Sequence, residues 1–306
     1  MGTPWLWFEF NLFVLIAVAL DLGIFHRQAH KIRLREAAIW SLTWVALAVV
    51  FGLGVWHWFG DQRGLEFFTG YLIEKSLSVD NLFIFLVIFR TFQVEPRYQH
   101  RVLAWGILGA LVMRGAMIAA GAALLERFSW VLYLFGVFLL YAGAHMLLAK
   151  VKEAHPEQNA IFRFASRHLA VTKEYRGGRF FVREGRQRLV TPLFLVLLVV
   201  EITDVAFALD SIPAIFGITR SAFIVYTSNV FAILGLRAMY FLLAGMLDYF
   251  RYLSVGLGLV LLFIGGKMIA EPWLHIPVYA SLLVVAVILG LALGASLILR
   301  RAKKAD

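Results

Sequence analysis

The chain contains no cysteine, which excludes disulfides, thiol catalysis, iron–sulfur clusters and Cys-ligated zinc. Charge is scarce: Asp, Glu, Lys and Arg make up 16% of residues, where a soluble domain carries about 25%. Catalytic signatures are missing too, with no Walker A loop, no GxGxxG, no HExxH and no GxSxG. Apolar residues take up the room: 61% of the chain is hydrophobic and mean hydropathy is +0.81. A water-soluble globular enzyme and a disordered chain are both excluded. The composition describes an all-α polytopic membrane protein, not expected to be an enzyme.

A helix needs about 20 apolar residues to cross about 30 Å of hydrocarbon. Nine stretches satisfy this: 5–25, 37–56, 67–89, 102–124, 130–149, 193–216, 222–246, 253–270 and 278–299. The first lacks a basic n-region and carries Asp21, so a retained helix is expected. Lys and Arg outnumber Asp and Glu by 29 to 19, but their distribution follows topology, and no nucleic-acid partner is expected. With the N-terminus outside, cytoplasmic segments hold Arg27, Lys31, Arg33 and Arg35, then Arg90, Arg97 and Arg101. They also hold the basic linker before helix 6, Arg251 and the basic tail. Only Arg63, Arg127 and Arg220 fall outside, while Lys75, Arg114, Arg237 and Lys267 lie within spans. The bilayer is the expected partner, and the C-terminus is cytoplasmic.

Internal comparison predicts a repeat. Glu74 and Asp80 in helix 3, with five residues between them, match Asp204 and Asp210 in helix 6. SVDNLFIF at 78–85 parallels ALDSIPAIF at 208–216, and MRGAM at 113–117 recurs as LRAM at 236–239. GVFLLYAGAHML at 136–147 matches GLVLLFIGGKMI at 258–269, pairing His145 with Lys267. Helices 3–5 therefore repeat as helices 6–8. Three crossings is an odd number, so the second copy enters the membrane inverted, a transporter architecture with its site near the midplane. The expected organisation is one transmembrane domain: helices 1–2 (1–66), repeat 1 (67–149), a basic cytoplasmic linker (150–191), repeat 2 (192–271), and helix 9 with its tail (272–306). Within the linker, Ile161, Phe162, Phe164 and Leu169 with Arg163 and Arg167 suggest a helix lying on the membrane or, alternatively, a solvated loop.

Six acids fall inside the spans: Asp21, Glu74, Asp80, Glu201, Asp204 and Asp210. Facing lipid, they would cost on the order of 15–20 kcal/mol, so they must face one another, water or a ligand. Glu74, Ser78 and Asn81 share a helical face with Asp80 at its flank, and Thr203 and Asp210 share another beside Asp204. Pro213 is expected to loosen helix 6 beside Asp210. We read Glu74, Asp80, Asn81, Asp204 and Asp210 as ligands of a divalent cation. Asp21, Ser78, Glu201, Thr203 and Ser211 stand as further or supporting ligands. Arg114, Arg237, Lys267 and His145 are counter-ions or gating groups. Oxygen ligands without cysteine suit magnesium, calcium or manganese. The alternative is a set of buried ion pairs, such as Arg114 or Arg237 with Asp80 or Asp210, that only hold helices together.

EKSLSVDNLFIF at 74–85, ITDVAFALDSIPAIFGIT at 202–219 and SNVFAILGLRAMYF at 228–241 closely resemble the TerC family, in particular its Alx-like branch. The resemblance covers nearly the whole chain. It implies a bacterial inner-membrane protein tied to manganese efflux or homeostasis, in a family whose names also come from tellurite resistance and alkaline-pH-regulated expression. Manganese would be transported cargo, with no permanently bound cofactor. Competing readings are an oxyanion carrier built on Arg114 and Arg237, and a non-transporting factor for insertion or metalation of exported proteins. The basic-residue distribution makes a direct prediction. Membrane-impermeant thiol reagents should label a cysteine placed at Arg63 or Arg127 in intact cells, and should not label one at Arg176. Labelling at Arg176 would overturn the orientation.

Overall fold

The computed structural model describes residues 2–26, 34–128, 130–148, 170–172, 174–184, 187–244, 253–274 and 276–303. Its helices are α1 (Pro4–His26), α2 (Leu34–Phe59), α3 (Asp61–Thr91), α4 (Pro96–Arg127) and α5 (Val131–Leu148). After a hairpin of β1 (Phe181–Glu184) and β2 (Gln187–Val190) come α6 (Pro192–Phe216), α7 (Ala222–Ile233), α8 (Leu236–Ala244), α9 (Leu253–Ala270) and α10 (Val278–Lys303). Seven of these, α1, α2, α4, α5, α6, α9 and α10, are long and apolar enough to cross a membrane. The chain is a polytopic helical membrane protein.

The expected seventh span is broken into α7 and α8, which meet at 42°. The cause is Gly235, whose φ of +84° suits glycine and not a side-chain-bearing residue. Pro213, by contrast, does not break helix 6: α6 runs unbroken through it to Phe216, because the proline lies in its last turn. The expected loosening is therefore found one helix later. Ending α7 at Ile233 leaves the Ala232 carbonyl among the last four that have no partner within a helix. The Lys75 ammonium donates to that carbonyl across 3.2 Å.

Composition alone does not mark α3 as a span, because Glu66, Glu74, Lys75 and Asp80 lie along its 31 residues. It packs against α2, α6, α7, α8, α9 and α10, which take the place of lipid around its charges. Large apolar side chains such as Leu42, Val112, Leu283 and Leu291 point outward, while Glu74, Arg114, Asp204 and Arg237 are buried. This inside-out distribution follows from a solvent that cannot hydrate charge.

α3 and α6 run antiparallel. Thr219, just past α6, donates to Glu66 across 2.6 Å, and Gly70 packs on Ile215. Extending that register sets Glu74 level with Ser211, and Asn81 level with Asp204. α5 and α9 also run antiparallel, with their backbones in direct contact: Gly143 meets the Gly258 carbonyl and Gly265 meets the Gly136 carbonyl.

The linker was expected to be a membrane-surface helix or a loop. The helix proposed over Ile161–Leu169 lies outside the described residues. Further on, the chain forms the β1–β2 hairpin, paired from Phe181↔Val190 to Glu184↔Gln187, an element the sequence reading did not anticipate. Phe180 beside it packs against Trp105 of α4 and Phe194 of α6. Tyr175 donates to the Phe92 carbonyl at 2.5 Å, closing the C-terminal end of α3. Burial pushes this phenol up to about 12, further still from ionisation at physiological pH. At the opposite end of α3 a cavity of about 690 Å³ is lined by Arg63, Glu66, Thr219, Lys267 and Glu271 among others.

The α5–α9 contact is testable. A Cβ at Gly143 or Gly265 would stand 2.7 Å from a facing carbonyl oxygen, so the helices must part. Gly143→Leu or Gly265→Leu should each cost about 1–3 kcal/mol, read as a lowered thermal midpoint in detergent. Gly266→Leu is the control, since nothing lies within 4 Å of its Cβ position.

Candidate functional site

The polar interior centres on Arg114 of α4, whose side chain is 2% exposed. Its guanidinium grips Asp204 through two bonds, Nε to Oδ2 at 3.1 Å and Nη2 to Oδ1 at 2.9 Å. Nη1 donates to Glu74 Oε1 and, at 3.3 Å, to Asn229 Oδ1. One cation thus ties together α3, α4, α6 and α7. The bidentate fork onto a carboxylate fixes orientation as well as charge. Two carboxylates against one guanidinium leave this cluster with an excess negative charge.

Several buried polar atoms around this tie lack a hydrogen-bond partner among the described residues. They are Glu74 Oε2, Ser78 Oγ, Ser211 Oγ and Asn229 Nδ2. Ser78 is one turn along α3 from Glu74, and Ser211 is level with Glu74 across the seam. Unsatisfied polar atoms at such depth are rare in proteins and call for a water, an ion or a ligand. A carboxylate oxygen and two hydroxyls are hard donors of the kind that suit magnesium, calcium or manganese.

Of the five predicted ligands, the structure brings Glu74 and Asp204 together, with Asn81 buried at the level of Asp204. Asp210 stands six residues beyond Asp204, about 240° round the helix, and is half-buried. The Asp80 side chain lies outside the described residues. Among the described residues no three His, Asp or Glu side chains converge to hold a metal ion. Thr203 donates within its own helix, to the Val199 carbonyl at 2.7 Å. Asp21 pairs with Arg237, Oδ2 to Nη2 at 2.8 Å, and its own carbonyl accepts from the same guanidinium. Lys267 donates to Ser281 at 3.0 Å in the end cavity, and His145 is exposed beside Tyr141. Neither reaches Arg114.

Glu201 lies against α4, its Oε2 buried and without a partner among the described residues. Asn229 was missed by sequence reasoning. The signal was present: a lone amide in the apolar run of the seventh span, at a depth where an amide needs a partner.

A bundle of apolar helices enclosing charged groups defines an integral membrane protein, and the comparisons place it within one family. The chain belongs to the integral membrane protein TerC family, whose profile matches residues 59–304. It is 52% identical to an uncharacterized membrane protein of Myxococcus xanthus, STKORF319, over 98% of this chain and 94% of that one. It is 47% identical to an Escherichia coli K12 protein named, as a proposal, membrane-bound redox modulator Alx, over 93% of this chain and 92% of that one. An uncharacterized membrane protein of Rickettsia bellii is 38% identical over 95% of this chain and 97% of its own length. No solved structure matches.

Removing the cation from this cluster leaves two buried carboxylates facing each other. Arg114→Gln should therefore destabilise the protein by about 3–5 kcal/mol, seen as a lowered thermal midpoint in detergent. Thr203→Val, which loses only a bond within one helix, should change that midpoint little.

Proposed function

We propose that this protein is a secondary transporter, and not an enzyme, that exports a divalent metal cation through the α3–α6 seam. Manganese is the metal that the family resemblance favours. The carrying observation is the meeting of Glu74 and Asp204, from different helices, at one buried point surrounded by unsatisfied polar atoms. Glu74, Asp204 and the hydroxyls of Ser78 and Ser211 would supply oxygens, with Asp80, Asn81 and Asp210 completing or feeding the site.

Reciprocal packing supports an inverted repeat. α3 packs on α7 as α6 packs on α4, and Gly136–Gly265 mirrors Gly143–Gly258. Glu74 opposite Ser211 mirrors Asp204 opposite Asn81. The break between α7 and α8 supplies the discontinuous helix common at the sites of such transporters. The membrane is the bacterial inner membrane, with the N-terminus outside and the C-terminus cytoplasmic, as the basic residues favour. Lacking a nucleotide-binding motif, the protein would draw energy from an ion gradient, with protons exchanging on the same carboxylates. An oxyanion carrier is disfavoured because Arg114 and Arg237 already hold acids. With no cysteine in the chain, a redox influence such as the Alx name states would act through the metal.

The test is counterflow of radioactive manganese in proteoliposomes holding purified protein. Asp204→Asn and Glu74→Gln should each abolish flux while leaving insertion intact, and wild-type flux in either would overturn the site. A protonated carboxyl is a poor ligand, so binding should weaken as pH falls and each bound ion should release protons. Calorimetry in buffers of different ionisation enthalpy measures that release. Binding that is independent of pH and releases no proton would remove proton exchange from the mechanism.

A further inference from the structure

Arg114 sits where the proposed substrate would bind. Its guanidinium is bonded to Glu74 and Asp204 at once, so a metal cannot engage both carboxylates unless the guanidinium leaves. A displaced arginine at this depth needs another anion, because lipid offers none. Glu201 meets that need. It stands three residues before Asp204 and shares its face of α6. Its Oε2 is buried with no partner among the described residues, and its carboxylate rests on the α4 backbone at Gly109.

Glu201 and Asp204 lie within one turn of each other on α6. Gly109 and Arg114 are on the same helix, about 7.5 Å apart along its axis and about 140° apart around it, so the transfer requires the long arginine side chain to swing round α4. Side chains of an α-helix lean toward its N-terminus, which carries the Arg114 stem in the direction of Gly109. Gly109 is what admits the carboxylate, for a Cβ there would fall inside the Glu201 oxygens. The corresponding arginine of the second repeat, Arg237, is held on Asp21 of α1.

We propose that Arg114 is a tethered competitor of the transported cation, moving from Glu74 and Asp204 to Glu201 when a divalent ion binds. This rests on the reading of the seam as a cation site. Glu201 is then no ligand: it receives the displaced guanidinium, so the exchange leaves no buried charge unpaired. Arg114 sets how tightly the site holds its ion and keeps the empty seam closed.

Manganese binding to the purified full chain is measured by calorimetry in wild type, Glu201→Gln, Arg114→Gln and the double variant. Glu201→Gln should weaken binding about tenfold. Arg114→Gln should tighten it, and adding Glu201→Gln to that variant should have no further effect. Equal weakening by Glu201→Gln in both backgrounds would make Glu201 a direct ligand, and no weakening in either would make it a bystander; both overturn the proposal. Gly109→Ala, which keeps both charges but displaces the Glu201 carboxylate, should weaken binding as Glu201→Gln does. Since Arg114→Gln is destabilising, infrared difference spectra of protein carrying guanidino-labelled arginine give an independent readout. Adding manganese should shift the guanidinium band in wild type and not in Arg114→Lys. A protein that binds manganese with no guanidinium shift overturns the shuttle and leaves the cation site standing. A wild type that binds no manganese overturns both.

Discussion

Burying the Arg114 guanidinium constrains the rest of the interior, because a cation at membrane depth must be neutralised by groups that are themselves costly to bury. Neutralisation by a single acid would leave donors over, and here two carboxylates and one amide share the guanidinium. Those three acceptors come from α3, α6 and α7, so the positions of three helices relative to α4 follow from one side chain. The antiparallel register of α3 against α6 then decides which residues stand level with the tie. Ser211 comes level with Glu74, and Asn81 level with Asp204. A helix turn of slippage along this seam would separate the carboxylates and leave the arginine short of a partner.

The same requirement accounts for the central place of α3. A helix carrying Glu66, Glu74, Lys75 and Asp80 is inadmissible at the lipid surface, and six neighbouring helices enclose it. Each described charge is also answered locally. Glu66 accepts from Arg63 at 2.7 Å and from Thr219 at 2.6 Å, while Lys75 caps the broken end of α7. The break therefore has a backbone cause in Gly235 and a compensating donor in Lys75. The two ends of the bundle differ. One holds the 690 Å³ cavity at Glu66, about 12 Å along α3 from Glu74, and the other is closed by the hairpin and Tyr175.

Apolar runs made the helices legible in the sequence, because about 20 residues of hydrocarbon-compatible chain admit little but a span. Helix ends were less legible. α3 and α4 each begin six residues before their apolar stretches, since Asp61–Glu66 and Pro96–Arg101 can be helical in the interface without being apolar. Glu74, Asp204 and Arg114 were legible because intramembrane charge is too costly to be accidental. Their mutual pairing was not, since sequence gives periodicity along one helix and not the register between two. That is why Asp80 and Asp210 were the acids matched with the arginines, whereas Arg114 holds Glu74 and Asp204. The hairpin escaped because two four-residue strands give too short an alternation to stand out in a basic linker.

If α3–α5 and α6–α9 are inverted copies, Arg114 and Arg237 occupy equivalent positions and would compete for the same acid pair. Two guanidiniums on two carboxylates would leave the seam neutral. α1 prevents this. Asp21, 8% exposed, takes Arg237 through both its carboxylate and its backbone carbonyl. The seam is left with Glu74 and Asp204 against Arg114 alone, an excess negative charge held beside unsatisfied hydroxyls. α1 lies outside the repeated unit and is otherwise packed by aromatic contacts, Phe10 and Phe13 against Phe231 of α7. Its buried aspartate thus breaks the symmetry of charge that two such copies would otherwise share, and leaves the acid pair of the seam to Arg114 alone.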